Sequence, residues 1–402
     1  MKFLLPLALI CSFPVWSKYD TEFSGNVETQ GRFTWNNEMA KSDLLQDWKK
    51  GDFYLIYGNL SGKLNFDQSR VEANWFLRGS ASELYTPQES PLGDRPPYFV
   101  TQIFTYPNKL VARDLFNLQY ENRDGVFKAE SVLNKFLYEY DIGNHRITVG
   151  RMYINYGQGE IFNPINPFNQ PTGLTAISQV AQGNDGIAVD YFFNDKFSLD
   201  LFVLGDKRIH GYDGEVSRTL WAHGEIQASD DLQLDFVFGE DQNRHKAGGQ
   251  YSYRLGESIL FAQILYQSEY LDATPSNSLF DGLLAYDRQL TSKWHVRFEG
   301  GYQQKNKFAT LSNLGERFLP TEYFLALANQ YEIHPLVKLN GTAINDVKSG
   351  FTYLIAKIAL DLGRDMELDL FGFVPVSKGD EADNVAQKLV TTDIGFALRK
   401  FF

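Results

Sequence analysis

Apolar and polar residues alternate with a period of two along most of this chain. Near the N-terminus, Phe23 and Val27 fall on one face of an extended segment and Glu28 falls on the other. Because successive side chains of a β-strand point to opposite faces, this period predicts strands with one apolar and one polar face. The same pattern recurs at 71–79, 187–193, 197–205, 220–228, 232–238, 294–302 and 368–374. The sequence therefore predicts an all-β fold.

Membrane-spanning helices are not expected between residues 18 and 402. Such a helix needs about 18 or more apolar residues in a row, whereas the longest comparable run is 323–328. Aromatic residues nevertheless make up 15% of the chain, which suits the interfacial girdles of a membrane β-barrel. Only helices and closed barrels satisfy every backbone polar group in lipid. We therefore expect a transmembrane, antiparallel, up-and-down β-barrel.

The N-terminus has the pattern of a secretory signal peptide. Lys2 precedes an apolar stretch at 3–15, and small residues suitable for cleavage end at Ser17. Cleavage there would remove residues 1–17 and leave 18–402. No Pro- or Ser-rich linker divides this remainder, so we expect a single domain. Alternation begins within a few residues of the cleavage site, so an N-terminal plug domain for energised uptake is not expected.

Composition excludes several functional classes. A lipoprotein signal at Cys11 is rejected because Ile10 stands where that processing needs a small residue. Cys11 is the sole cysteine, so the exported chain would have neither disulfides nor thiolate metal sites. The net charge of −12 argues against nucleic-acid binding, which requires a basic surface. No cofactor or metal is expected.

The C-terminal residues 394–402 also alternate and end on Phe402. This ending resembles the closing strand of bacterial outer-membrane β-barrels. Lys400 departs from the pattern, since family members usually carry an aromatic or aliphatic residue there. The resemblance implies a Gram-negative outer membrane, contact with its lipid and lipopolysaccharide, and assembly by the barrel assembly machinery through the C-terminal strand.

Turn lengths provide a second test of the barrel. Such barrels have short periplasmic turns and long extracellular loops, and both termini are periplasmic. Short connections are predicted at 363–365, 332–335, 291–293, 255–257, 229–230 and 194–195. Longer ones alternate with them at 377–387, 304–319, 269–280, 242–246, 206–216 and 157–184. The connection at 345–349 is the exception, because it is short on the side of the long loops.

The number of strands depends on the region 84–124. An even number is required if both termini lie on one side. A strand at 98–106 would give twenty strands, whereas an extracellular 84–124 would give eighteen. Proline residues in that region favour eighteen, since proline removes a backbone donor from a sheet.

The loop 157–184 is too apolar for a solvated loop. Its aromatic and aliphatic residues need burial, and its prolines stiffen the backbone. We expect it to fold into the barrel mouth and narrow the channel through Glu160, Phe162, Asn163, Pro164, Asn166, Pro167 and Phe168. Alternatively, it packs on the rim or caps the lumen without selecting solutes.

The stretch 144–171 places Gly150-Arg151 before Tyr156-Gly157 and an Asn-Pro-rich run. This arrangement resembles porin-like and alginate-export-like outer-membrane barrels. The resemblance covers under a tenth of the chain and implies the architecture rather than the substrate. Export of a polyanion such as alginate would need a basic lumen, which the sequence does not provide.

Charged residues on the predicted inner face are mainly acidic. The acids are Glu28, Glu72, Asp190, Asp200, Glu225, Asp235, Glu299, Glu367 and Asp369; the bases are Arg32, Lys63, Arg78, Arg254 and Arg297. An excess of carboxylates favours cations in a pore, so a weak cation preference is expected. The alternative is that these charges pair across the lumen, for example Glu72 with Arg78 or Arg297 with Glu299.

Aromatic residues share the inner face with these charges, namely Phe192, Phe202, Trp221, Phe371 and Phe373. Stacked rings can form a path for sugars or aromatic acids. The alternative is that they simply fill part of a wide barrel.

These features predict a channel for passive diffusion of small hydrophilic solutes, without enzymatic chemistry. One alternative is an export or uptake conduit for a larger, polysaccharide-like molecule that works with periplasmic partners. A second is a barrel-embedded hydrolase. For it the sequence offers His223 near Glu225 and His295 near Arg297 and Glu299, with Ser217 and Ser252 on the inward phase, but nothing in the sequence brings either serine to a histidine. No nucleophile-elbow or zinc-protease motif supports the hydrolase. Substrate and oligomeric state are left open by the sequence.

Overall fold

The computed structural model describes residues 20–35, 50–82, 111–113, 115, 119–124, 127–168, 183–206, 217–241, 244–268, 278–304, 322–348, 350, 352–376 and 392–402. All regular structure within these ranges is β-strand, and the 20 strands belong to one sheet. No helix in the described ranges is long and apolar enough to cross a membrane. The predicted signal peptide 1–17 lies outside them.

The strands have the following bounds. They are β1 (Asp20–Trp35), β2 (Lys50–Asn65), β3 (Ser69–Ser82), β4 (Val111–Arg113), β5 (Gln119–Asp124), β6 (Phe127–Ile142), β7 (His145–Tyr153), β8 (Gly183–Asn194), β9 (Phe197–Asp206), β10 (Ser217–Ser229), β11 (Leu232–Asp241), β12 (Arg244–Leu255), β13 (Ser258–Gln267), β14 (Leu279–Thr291), β15 (Trp294–Gln303), β16 (Tyr323–His334), β17 (Val337–Asp346), β18 (Thr352–Gly363), β19 (Met366–Pro375) and β20 (Thr392–Phe401).

Eighteen of these strands close into an antiparallel barrel, which confirms the predicted fold class and the lower strand number. The ring closes where β1 pairs with both β2 and β20. There, Gly25 and Phe402 exchange two backbone hydrogen bonds of 2.9 and 3.0 Å. The C-terminal strand therefore completes the barrel, as its alternation predicts.

The other two strands, β4 and β5, are additions to the wall. β5 pairs with residues 127–132 of β6, and β4 pairs in parallel with the start of β8. Within the described part of 84–124, no residue forms a ring strand, as an eighteen-strand barrel requires. The alternative strand at 98–106 lies outside the described residues.

Exposed and buried side chains alternate along the ring strands, as the period of two in the sequence predicts. Phe23, Val27 and Ile394 are exposed on the outer face, whereas Glu28 and Gln30 are buried on the inner face. Exposed large apolar residues are numerous on the outer face of other strands too. An apolar exterior around a polar interior is the arrangement of a barrel that spans a bilayer.

Short turns connect the strands at one end of the barrel, called the short-turn end below. The turns predicted at 194–195, 229–230, 255–257, 291–293, 332–335 and 363–365 all lie there. At the last of them, Gly363, Arg364 and Asp365 have φ of 73°, 52° and 59°. Lys400 donates a hydrogen bond to the Arg364 carbonyl. This polar turn explains why a lysine stands where similar barrels usually have an aromatic or aliphatic residue.

The opposite end carries the longer connections. β17 ends at Asp346 and β18 begins at Thr352, so the exceptional short connection there is present. Most residues of the other predicted long loops lie outside the described ranges. The described part of the loop after β7 is different, because it packs inside the barrel.

Candidate functional site: a loop across the lumen

The chain leaves the wall after Tyr153, the last residue of β7, and returns to it at Gly183, the first residue of β8. The loop is therefore 154–182, because β7 ends three residues before the predicted boundary and β8 starts earlier than predicted. Residues 154–168 are described, and they contact inward-facing side chains. Ile165 and Phe168 have no exposed surface.

Two clusters hold the loop against the wall. The first packs Ile165 and Phe168 against inward residues of β6 to β13, and the Phe168 ring meets Trp221 edge to face at 5.5 Å. The second packs Ile161 and Phe162 against β13 to β17. Burial of these apolar side chains supplies the main force that keeps the loop inside.

Polar contacts within the loop give it a defined shape. The side-chain amide of Asn163 donates to the Tyr156 carbonyl at 2.8 Å, and Asn166 contacts the same carbonyl at 3.3 Å. Gly157 has φ of 76°, and a Cβ there would lie 2.5 Å from Asn163 Oδ1. The Gly-x-Gly and Asn-Pro run therefore folds into a compact turn that only glycine permits at this position.

The tip of the loop is hydrogen-bonded to β15. The Glu299 carboxylate accepts from the backbone N–H groups of Glu160 at 2.8 Å, Ile161 at 3.0 Å and Phe162 at 3.3 Å. Arg297 donates to the Gln158 carbonyl and, at 2.8 Å, to Glu299. The carboxylate thereby satisfies amides that have no strand partner.

These contacts span the barrel. The Phe162 ring meets Phe324 of β16 edge to face, with centroids 6.0 Å apart. In the ring of eighteen strands, β7 and β16 lie halfway round from each other. The loop thus starts on one wall and is fastened near the opposite one.

Tyr156 marks the beginning of the loop. Its ring stacks on His223 of β10, with centroids 4.5 Å apart and planes 9° apart. Burial raises the pKa of the Tyr156 hydroxyl well above its ordinary range. Tyr156 therefore stays neutral and packs as an aromatic wall.

A cavity of about 510 Å³ lies beside the first residues of the loop, toward the short-turn end. Inward residues of β6 to β12 line it, including Asp190, Asp200, Glu225 and Asp235 from the predicted set. Phe192 and Phe202 also line it, whereas Trp221 packs against the loop. Acidic and aromatic groups therefore share one wall.

Most other predicted inward charges are paired. Arg399 of β20 contacts Glu28 of β1, lies 2.8 Å from Asp369 and lies 3.3 Å from Glu367. Lys357 also contacts Asp369 at 3.0 Å. This network ties the first strand to the last and leaves little net charge there.

One predicted pair is present and one is wrong. Arg297 and Glu299 pair as predicted, at 2.8 Å. Arg78 pairs instead with Glu130 on the neighbouring β6, and Glu72 pairs with Lys135 at 2.6 Å. Six residues apart on one extended strand, Glu72 and Arg78 lie about 20 Å from each other, so each pairs with the neighbouring β6 instead.

The remaining predicted residues are distributed over several strands. Lys63 contacts Glu22 at 3.0 Å. Arg254 is exposed and shares the inward phase of Ser252. The side chain of Arg32 lies outside the described set. Phe371 and Phe373 are buried with residues of β18 and β20.

Sequence reasoning missed a buried ion pair beside the loop. Arg151 donates to both carboxylate oxygens of Asp185, at 2.5 and 2.8 Å, and both side chains are fully buried. Arg151 also donates to the Leu133 carbonyl at 2.9 Å. The pair closes the base of the loop by joining β7 to β8. In the sequence, the one sign of this ion pair is the Gly-Arg dipeptide ahead of the Asn-Pro run.

Comparison with known proteins identifies the architecture. No family model and no curated protein sequence matches this chain. Solved structures do match, among them OccK9 (OpdG) of Pseudomonas aeruginosa, with 9% identity, a TM-score of 0.58 and coverage of 95% of this chain and 98% of that chain. A BenF-like porin from Pseudomonas fluorescens Pf-5 matches with 10% identity, a TM-score of 0.57 and the same coverage. The fold is that of outer-membrane porins.

A third similar structure, OccAB4 of Acinetobacter baumannii, matches with 9% identity, a TM-score of 0.56 and coverage of 95% and 98%. Identities this low concern the fold alone. The chain therefore shares the closed barrel fold of these porins and exposes apolar residues on its outer face.

Proposed function

We propose that this protein is an outer-membrane channel through which small hydrophilic solutes diffuse passively, with loop 154–182 as its constriction. The observation that carries this proposal is the attachment of the loop tip to Glu299 of β15, which lies one strand short of halfway round the ring from β7. A porin fold with a chain fastened across its lumen is suited to sieving by size. No bond is made or broken in such a mechanism.

We further propose a weak preference for cations. Charges at the β1–β20 closure and on β3 with β6 are paired and largely cancel. The acids beside the cavity are compensated less, because among the described residues no lysine or arginine forms an ion pair with Asp200, Glu225 or Asp235, and His223 alone contacts both Asp200 and Asp235. A local excess of carboxylate in a narrow passage attracts cations and repels anions.

The contacts do not favour the enzyme alternative. His223 contacts Asp200 at 3.0 Å, which is half of a catalytic arrangement. The Ser252 hydroxyl, however, donates to Gln158 of the loop at 3.2 Å. Ser217 has no described side chain. No described contact favours the conduit for a larger molecule either, since the fastened loop would have to be released first.

The test is solute uptake by proteoliposomes that contain the purified full chain. We expect swelling rates that fall steeply with sugar size and a reversal potential of cation-selective sign in a potassium chloride gradient. Protein-free liposomes are the control. If no sugar enters although the protein is folded, the proposed channel is contradicted. A reversal potential of anion-selective sign would contradict the charge argument.

A further inference from the structure

An arginine stands on the outer face of the barrel close to the short-turn end. On β14, Leu284 is 57% exposed on that face. Arg288 follows four residues later, so it has the same outward phase, and it is exposed as well. It is three residues from Thr291, the last residue of the strand. A charge on the lipid-facing side of a barrel is unfavourable at depth, so the guanidinium requires a polar partner on this face.

Other polar groups of the outer face lie beside this arginine. Tyr286 shares its phase on β14, and the Tyr286 hydroxyl is within hydrogen-bonding reach of the Arg288 guanidinium. The same hydroxyl is 2.9 Å from the hydroxyl of Ser258 on β13, which stands opposite Arg288 in the register. On the other side, Val296 of β15 separates Arg288 from Asn329 of β16 along one row of the sheet. Four adjacent strands therefore place polar side chains around this row.

Among the described residues, no carboxylate neutralises Arg288. Asp287 precedes it in the chain but faces the lumen, where it contacts Arg297 at 3.1 Å. Arg288 forms no ion pair in the described ranges, and the outward positions of β13 to β17 include no Asp or Glu. An unpaired guanidinium beside hydroxyl groups on an apolar surface suits a phosphate anion, because the planar guanidinium matches phosphate oxygens in pairs.

Aromatic residues place this cluster at the depth of lipid headgroups. Trp294 of β15 and Tyr331 of β16 stand opposite each other, and both are 42% exposed on the outer face. Their rings meet edge to face, with centroids 6.3 Å apart. Tryptophan and tyrosine are enriched where a membrane protein passes through the headgroup region. Short turns of such barrels face the periplasm, so a phosphate at this depth belongs to a phospholipid of the periplasmic leaflet.

We propose that Arg288, Tyr286 and Ser258 form a binding site for the phosphate of an anionic phospholipid. The guanidinium and the Tyr286 hydroxyl donate to the phosphate oxygens, and the Ser258 hydroxyl holds Tyr286 in place. The acyl chains lie along the exposed side chains of Leu284 and Phe298. A headgroup without an amine is preferred, because the outward positions nearby offer no carboxylate to a second cation. The site is on the outer wall and is independent of the proposed channel.

The test is native mass spectrometry of the detergent-purified full chain titrated with phosphatidylglycerol. Phosphatidylcholine with the same acyl chains is the matched probe, because it carries the same phosphate but a quaternary ammonium cancels its charge. We expect phosphatidylglycerol to bind more tightly than phosphatidylcholine, and to bind roughly tenfold more weakly after Arg288→Met, which removes the charged donor.

Lys400→Met is the matched control variant. Lys400 is an outward cation at the same end of the barrel, but it already donates to the Arg364 carbonyl and lies 3.7 Å from Asp365. Its replacement removes the same charge and should leave phosphatidylglycerol binding unchanged. Heat-modifiable electrophoretic mobility confirms that each variant is folded.

Equal binding of the two lipids, no loss in Arg288→Met, or equal loss in Arg288→Met and Lys400→Met would overturn the site in favour of unspecific lipid contact. Competition with inorganic phosphate distinguishes a lipid from a free anion. We expect inorganic phosphate at the concentration of the lipid to leave phosphatidylglycerol bound. Displacement at that concentration would assign the site to free phosphate and overturn the proposal.

Discussion

Replacement of Glu299 by glutamine should release the loop tip from the wall. The carboxylate accepts three backbone amides and the Arg297 guanidinium. Glutamine keeps one acceptor oxygen and presents an NH₂ group to the other amides. Since hydrogen bonds to a charged group contribute about 1.5 to 3 kcal/mol each, loss of one or two should cost about 3 kcal/mol.

A cost of about 3 kcal/mol changes the equilibrium between attached and released tip by roughly a hundredfold. Amide hydrogen exchange of residues 158–162, measured by mass spectrometry, should therefore accelerate by about that factor. The apolar contacts of Ile161 and Phe162 remain, so the rest of the loop should stay protected. Single-channel current should become noisier as the tip moves.

Glu22→Gln is the matched control, because Glu22 lies at the exposed end of β1 and pairs only with Lys63 among its described ion contacts. It should change neither exchange at 158–162 nor channel noise. If Glu299→Gln leaves both unchanged in a folded barrel, then the carboxylate does not hold the loop and this reasoning is refuted.

Three further predictions test other parts of the structure. Arg399→Met removes the cation that contacts the buried Glu28 carboxylate and leaves Asp369 paired with Lys357 alone. It should lower the free energy of unfolding by about 3 to 5 kcal/mol, measured by urea titration in vesicles; a loss below 1 kcal/mol would contradict it. In Gly157→Ala, the alanine would have to adopt φ of 76° and its Cβ would lie 2.5 Å from Asn163 Oδ1. The free energy of unfolding should therefore fall by about 1 to 3 kcal/mol, and the loop amides should exchange faster. Leu325→Arg places a charge on the outer face and should cost up to about 4 kcal/mol, whereas Gln330→Arg on the inward phase of the same strand should cost far less; similar costs would contradict the assigned faces.

The architecture could be predicted because its cause is local. Alternation along each segment determines which side chains face lipid. Parity left eighteen or twenty strands, and the prolines of 84–124 favoured eighteen. Burial of Phe162 and Phe168 could be expected from their apolarity in a polar context. Each of these signals is contained in a short stretch of sequence.

The partners of the inward charges could not be predicted because they depend on registers between distant segments. Glu72 meets Lys135 only because β3 pairs with β6, which follows it in the chain after a long intervening region. Glu299 was expected on the inner face, as a pore-lining acid or as the partner of Arg297, yet it also binds backbone amides far away in sequence. No pattern within β15 encodes that contact.

The central claim, that loop 154–182 narrows a water-filled passage, is tested most directly by single-channel conductance. The full chain is compared with a variant in which residues 158–168 are replaced by a short Gly-Ser link, with folding verified by mobility. We predict steady current steps for the full chain and clearly larger steps for the variant. Equal steps, or silence from both proteins, would contradict the account.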